Sequence, residues 1–443
     1  MKRFLLIASL LAFSSALTFA DISLGGSLVG NWIVVESTSS SDFDDFNTYF
    51  RPYNGGLSSS VRGRLNVSAV NNENTFGGWM QFRAQAGGPA DFRMLTSVWW
   101  QPLSSIKVTY GYMWAGANPI GVVLTDDDVL AMRFYGRSAN YIPWAYEIMS
   151  GAHIELTPIE NLYILGSVPL DNSPNLSYNG WNSPYTVANG DATAEDIFKH
   201  TMARAAYTIP GVGTARLTFA GGTGNVSDGS LFEYTSAVHA PGLGSVDASV
   251  FDIGFTYTAL ENLKLDIGFE FPLQGNDWLK APPPPYSPSD IKAHVPVAVN
   301  LRANASSGAF DFAGGVSAKF GGKYTVSDIE GNDNEFKFEQ GFILGFTLNP
   351  AYDLGPLTIG VVGELELNTK DKVSFGDIDY TYDSRVNWSV IPYVQKNVFS
   401  GGTVYAGFQI ASNLTKSDSS PADKFEWDQG FDWSIPVGLI YYF

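Results

Sequence analysis

Apolar and polar residues alternate with a period of two along most of this 443-residue chain, the spacing that sends successive side chains to opposite faces of a strand. From Leu57 to Ala69 one face carries Leu57, Val61, Leu65, Val67 and Ala69, and the other Ser58, Ser60, Arg62, Arg64, Asn66 and Ser68. Ile291 to Ala305 repeats the pattern, with Ala293, Val295, Val297, Val299, Leu301 and Ala303 set against Lys292, His294, Asn300, Arg302 and Asn304. Leu357 to Leu367 does so again, with Leu357, Ile359, Val361, Leu365 and Leu367 opposite Thr358, Glu364 and Glu366. A soluble sandwich accounts for one or two such strands. Roughly a dozen, each of the ~9–11 residues that a tilted strand needs to cross a bilayer, predict a transmembrane wall with an apolar outside and a polar inside.

The connections alternate as well. Short turns are predicted at Asn71–Asn74, Pro102–Ser104, Pro158–Asn161, Pro210–Gly213, Leu260–Asn262, Ser306–Gly308 and Asn349–Tyr352. Between them lie longer stretches rich in Gly, Pro and Asp, among them 36–54, 115–147, 171–196, 223–245, 273–290, 321–335, 369–384 and 413–431. The expected fold class is therefore all-β: a transmembrane antiparallel up-and-down β-barrel of about 16–18 strands, with short periplasmic turns and long extracellular loops. Pro296, Pro392 and Pro436 fall inside strands and predict bulges or irregular pairing, because proline cannot donate to the ladder.

The last eleven residues bear on the compartment. Trp433, Ile435, Val437, Leu439, Tyr441 and Phe443 form one apolar face with aromatics at both ends, as expected where amphipathic rings settle at two water interfaces. This segment resembles the C-terminal strand of Gram-negative outer-membrane β-barrel proteins, and the chain as a whole is porin-like. The resemblance implies that Phe443, with Tyr441, is the assembly signal read by the barrel-insertion machinery. It further implies outer-membrane lipid as the surroundings and allows a homotrimer.

At the other end, Lys2 and Arg3 precede an apolar run, Phe4 to Leu17, and Thr18-Phe19-Ala20 offers small residues to a signal peptidase. The expected division is a signal peptide over 1–20 and a barrel over 21–443. The run is shorter than the ~20 residues of a spanning helix, and a hydrocarbon core admits only helices and closed barrels. Composition fits: 14% aromatic residues, 46 Gly and only 16% charged residues, with a mean hydropathy of -0.01. There are no cysteines. Taking Lys2 and Arg3 from the 26 basic side chains leaves 24 against 44 acidic, which excludes nucleic acid as an expected partner.

Barrels of ~16–18 strands leave an aqueous channel, and alternation starts directly after the leader with Ile22, Leu24, Leu28 and Trp32, without room for an N-terminal plug. The expected function is a porin for passive diffusion of small hydrophilic solutes. The inward positions of the first half are basic, namely Arg62, Arg64, Arg83, Arg93, Lys107, Arg204 and Arg216; those of the second half are mixed. In general porins the loop after the fifth strand folds into the channel with acidic residues facing a basic wall. By that resemblance Asp126, Asp127 and Asp128 in 115–147 would oppose Arg62, Arg64, Arg83 and Arg93. An exposed acidic loop tip and a loosely held divalent cation are the other readings of that triplet. No cofactor and no catalysis are expected, since His153, His200, His239 and His294 accompany no recognisable nucleophile motif. An adhesin or antigen acting through its loops, or a channel for hydrophobic substrates, are the alternatives.

Overall fold

The computed structural model describes residues 20–40, 48–52, 61–86, 91–114, 148–169, 202–220, 249–273, 290–294, 297–320, 323–327, 336–339, 341–375, 378–416 and 424–443. Within them the chain is a closed antiparallel barrel of 18 strands. In chain order the wall strands are Ala20–Ser40, Val61–Asn71, Phe76–Ala86, Asp91–Leu103, Ile106–Trp114, Ile148–Leu156, Leu162–Pro169, Met202–Ile209 and Gly213–Ala220. The second half continues with Ser249–Leu260, Leu263–Leu273, Val297–Ser307, Phe310–Phe320, Ile343–Asp353, Thr358–Asn368 and Arg385–Phe399. Gly402–Gly407 and Gln409–Lys416 make one broken strand, and Trp427–Tyr442 is the last. Each pairs with its chain neighbours, and the last pairs with the first, from Ser27↔Tyr442 to Ser40↔Phe431. No helix occurs among the described residues.

The polarity is inverted relative to a soluble core. Leu65, Ile154, Leu217, Ile253, Ile267, Leu301, Leu348, Ile359 and Val390 are exposed on the outside, while Gln81, Ser97, His153, Arg204, Thr218, Asp266, Asn300, Ser317, Thr347 and Glu366 are buried on the inside. Aromatics bracket the outer band. On Phe310–Phe320 both end residues are exposed rings, about 25 Å apart along the barrel axis for a strand tilted ~40°. The apolar core of the molecule sits on the inner side of the closing seam, where Val29, Val362, Ile391, Tyr393, Tyr405 and Ile440 bury one another.

Turn chemistry explains the short rim. Asn71 Oδ1 accepts from the N–H groups of Thr75 (2.8 Å) and Phe76 (2.9 Å), and Asn74 and Asn161 take positive φ of 55° and 66°, a conformation asparagine tolerates better than most side chains. The turn expected at Asn349–Tyr352 is displaced. Those residues lie in the strand Ile343–Asp353, whose ladder to the next strand passes from Leu348↔Gly363 to Ala351↔Gly360 and so leaves Pro350 without a donor to supply. The chain instead reverses at Leu354–Leu357, with Gly355 at φ 88° and its N–H bonded to Asp353 Oδ1 at 2.8 Å. A further short turn, at Ser400-Gly401, joins the sixteenth and seventeenth strands.

The stretch 369–384, expected to be a long loop, carries a β-hairpin: Asp371–Phe375 pairs with Ile378–Tyr382 from Asp371↔Tyr382 to Phe375↔Ile378. Its charges, Asp371, Lys372, Asp379 and Asp383, hid the strand signal, yet Val373 and Tyr382 are buried. The hairpin belongs to a six-stranded sheet that extends the wall on the loop rim, with Asp290–His294, Lys323–Ser327, Phe336–Glu339 and Lys424–Phe425. Pro392 and Pro436 act as expected, and Pro296 lies outside the described residues. Pro392 lies opposite the break at Phe408, whose N–H bonds the Pro392 carbonyl at 3.0 Å, and Pro436 pairs with Ile33, where the first strand begins a register shift.

Candidate functional site

The inner face is where the charged side chains of this barrel collect. Arg64, Arg83 and Arg93 are direct cross-strand neighbours on the second, third and fourth strands, and Arg62 stands one inward position away, opposite Gln85. Neighbouring strands lie ~4.8 Å apart, so the register sets the backbones of these four residues close together on one arc of the wall. Beside it Asn66 Oδ1 accepts from Gln81 Nε2 at 2.8 Å.

On the next strands Lys107 Nζ lies 3.4 Å from Glu155 Oε2 and 5.2 Å from the centre of the Trp99 ring, and the Tyr163 hydroxyl donates to Glu155 Oε1 at 2.9 Å. His153, fully buried, lies 2.9 Å by Nδ1 from Ser167 Oγ and 3.1 Å by Nε2 from the Gly111 carbonyl. A carbonyl can only accept, so Nε2 carries the proton and Nδ1 accepts from the serine hydroxyl. Alternation along one strand cannot show that His153 meets Ser167, because the serine comes from the next strand.

Arg204 Nε donates to Thr218 Oγ1 at 3.1 Å. Arg216 donates to Thr256 Oγ1, which donates in turn to Asp266 Oδ1 at 2.6 Å. Asp266 has no exposed side-chain surface, and Arg216 Nη2 and Lys264 Nζ each lie 3.9 Å from its oxygens. Arg302 is its direct cross-strand neighbour, with both Nη2 and Nε 3.1 Å from the Asn304 amide oxygen when that amide is turned to face it. Three cations thus surround one carboxylate. Three strands further round, Glu364 and Glu366 share the inner face of Thr358–Asn368, and Glu366 Oε1 accepts from Asn368 Nδ2 (2.8 Å) and Asn387 Nδ2 (3.2 Å).

On the loop rim Asp371 accepts from the Gly341 N–H at 2.6 Å and pairs with Arg385 at 3.4 Å. Burial pushes the Asp371 carboxyl above its usual range, against the pull of that N–H and the guanidinium. Asp126, Asp127 and Asp128 lie outside the described residues, as do His200 and His239; the segment 115–147 does follow the fifth strand, Ile106–Trp114. Tyr441 and Phe443 stack at 5.9 Å between ring centres. An apolar trough of about 410 Å³, lined by residues such as Ala205, Ala215, Leu217, Ile253 and Phe269, lies on the outer face and is no part of the inner path.

A closed wall of 18 antiparallel strands, apolar outside and charged inside, defines a β-barrel with a porin-like fold, of the kind seen in Gram-negative outer-membrane porins. Among solved structures it is similar to OccK1 (OpdK) of Pseudomonas aeruginosa, with TM-score 0.50 and 11% identity over 96% of this chain and 98% of that one. It is also similar to an anion-selective porin from Comamonas acidovorans, with TM-score 0.45 and 10% identity over 96% of this chain and 100% of that one. At such identity the likeness concerns the fold alone. No protein-family model matches the sequence, and no curated protein sequence does.

Proposed function

We propose that the protein is an outer-membrane porin, a water-filled channel for passive diffusion of small hydrophilic solutes, delivered by a signal peptide over 1–20. The observation that carries this reading is the inverted polarity of the closed wall, with exposed Leu301, Ile267 and Leu217 outside and Arg302, Asp266 and Arg216 inside on the same strands. A wall of ~16–18 strands encloses more space than its side chains fill. The short-turn rim is then periplasmic and the loop rim extracellular. Arg62, Arg64, Arg83, Arg93, Lys107, Arg204 and Arg216 line the conduit and bias it toward anions, with Asp126 to Asp128 as the opposing charge.

Catalysis is not part of this reading. The His153–Ser167 pair is fully enclosed, and the second ring nitrogen of His153 is held by a backbone carbonyl rather than a carboxylate, so the pair pins two strands together. Passage of hydrophobic substrates is disfavoured because Val362 and Ile391, at the centre of the inner apolar cluster, have no exposed surface.

Liposome swelling tests the proposal. Vesicles carrying the refolded protein should swell in isotonic solutions of small sugars at rates that fall with solute size. Rates equal to those of protein-free vesicles for every sugar would refute it.

A further inference from the structure

We propose that the apolar trough on the outer face holds one acyl chain of a phospholipid whose headgroup carries an ammonium, and that Glu160 receives this ammonium at the short-turn rim; the idea rests on the outer-membrane placement proposed above. The trough crosses the seventh to the eleventh strands and has a volume of about 410 Å³. Its floor is made by small residues. Ala205 and Ala215 stand on the outer face of neighbouring strands, opposite Leu217 and Tyr207, and the exposed side chains of Leu217, Ile253 and Phe269 rise around them.

Register gives the trough a direction. One cross-strand row runs Leu162↔Tyr207↔Ala215↔Phe255↔Ile267. Leu162 is the first residue of its strand, directly after the turn at 158–161, whereas Ile267 lies four residues inside the strand Leu263–Leu273. One end therefore opens at the short-turn rim and the other climbs toward the middle of the apolar band. Four strand spacings of ~4.8 Å carry it about 19 Å, enough for a chain that spans one leaflet, half of a hydrocarbon core of ~30 Å. Apart from the Tyr207 ring at the mouth, the outward side chains of the lining are all hydrocarbon. Water finds no partners in such a place, and a lipid chain does.

The mouth selects the headgroup. Thr157-Pro158-Ile159-Glu160-Asn161-Leu162 and Thr258-Ala259-Leu260-Glu261-Asn262-Leu263 are two copies of one turn, one at each side of the trough on the short-turn rim. Turn geometry accounts for Asn161, at φ 66°, but not for the acid before it. Glu160 and Glu261 are exposed, and neither makes an ion pair with any described residue. None of the turns beneath the trough, 157–162, 209–213 and 258–263, contains a lysine or arginine; Lys264, one residue beyond the last of them, points inward to Asp266. The rim thus attracts an ammonium and repels a headgroup that carries negative charge alone. Glu160 is two residues from Leu162, within about 7 Å along the chain, and Tyr207, the cross-strand neighbour of Leu162, brings a hydroxyl to the interface as a donor for the phosphate oxygens.

Native mass spectrometry of the full, folded chain in detergent tests the idea, with dipalmitoyl phosphatidylethanolamine, its N-acetylated form and dipalmitoyl phosphatidylglycerol as probes. The first should be retained, one molecule per barrel, about tenfold more tightly than the other two, because both lack the ammonium that makes the charge-assisted contact. Glu160→Gln should bring it down to their level. Ala205→Leu combined with Ala215→Leu fills the trough with hydrocarbon and should abolish retention of all three lipids, whereas Ala318→Leu, on the outer face of the thirteenth strand, should change nothing. Equal retention of the three lipids, or retention that survives filling, overturns the site. So does a dimer that the filled variant loses while no lipid is held, since a second copy is then the occupant. The wild-type comparison of the three lipids decides even if a variant fails to fold. Insertion into vesicles without lipid selection overturns the site alone; failure to insert overturns the outer-membrane placement and the site with it.

Discussion

Gly26 and Phe443 exchange both of their backbone hydrogen bonds, Gly26 N–H to the Phe443 carbonyl at 2.8 Å and Phe443 N–H to the Gly26 carbonyl at 3.1 Å. The aromatic residue at the end of the last strand is thereby tied into the first strand, and the wall closes. A Cβ at Gly26 would lie 2.7 Å from Phe443 Cζ and would collide with the Arg64 carbonyl oxygen on the other side. Gly26→Val should therefore destabilise the closed barrel by about 1–3 kcal/mol, the cost of overpacking a tight site. The loss should be visible as a lower urea midpoint and a weaker heat-modifiable band on gels; an unchanged midpoint would mean that the seam has slack.

The division of faces makes a sharper demand. Leu301 is exposed on the outside and Arg302 points in, so a guanidinium is native at one position and forbidden at the next. Leu301→Arg should cost about 2–4 kcal/mol near the midplane, measured by unfolding in lipid. A cost near zero would contradict the assignment of the outer face to lipid.

Much of this architecture is legible from alternation alone. The period-two pattern around Arg62 and Arg64, the outer face of Leu357–Leu367 and the disturbances at Pro392 and Pro436 follow from local rules that a single strand carries. The turn at Leu354–Leu357 was not legible, because Pro350 is a strong turn signal that the ladder accommodates by skipping it. The hairpin at 371–382 was hidden by its own charges. The site is legible only as a list of inward residues. That Asp266 faces Arg302, or His153 meets Ser167, depends on cross-strand register, which turn geometry and bulges set and no single strand encodes.

Asp266 should be a stability centre of the inner face. Asp266→Asn keeps the shape and leaves Arg216, Lys264 and Arg302 without their shared carboxylate, which should cost roughly 3 kcal/mol, as for removing one partner of a buried charge set. Lys264→Gln should cost less than about 1 kcal/mol, since the lysine side chain is 42% exposed. Urea titrations of the two variants check the ordering, and equal effects would show that Asp266 is hydrated in the folded protein.

Ion preference should follow the arginine row. Neutralising Arg62, Arg64 and Arg83 together should move the reversal potential in a salt gradient toward that of the cation. Neutralising Asp126, Asp127 and Asp128 should move it the other way, and no shift would place that triplet outside the conduit. Low ionic strength should enlarge both effects, since screening lengthens from about 8 Å at 0.15 M salt to about 30 Å at 0.01 M.

The most direct measurement is the conductance of the purified protein in a planar bilayer. The proposed channel, with Arg64, Lys107, Arg216 and Arg302 on the inner face of an 18-strand wall, predicts discrete, near-ohmic current steps in simple salt without added ligand, voltage priming or partner protein. A folded, inserted barrel that passes no current under those conditions would contradict the central claim.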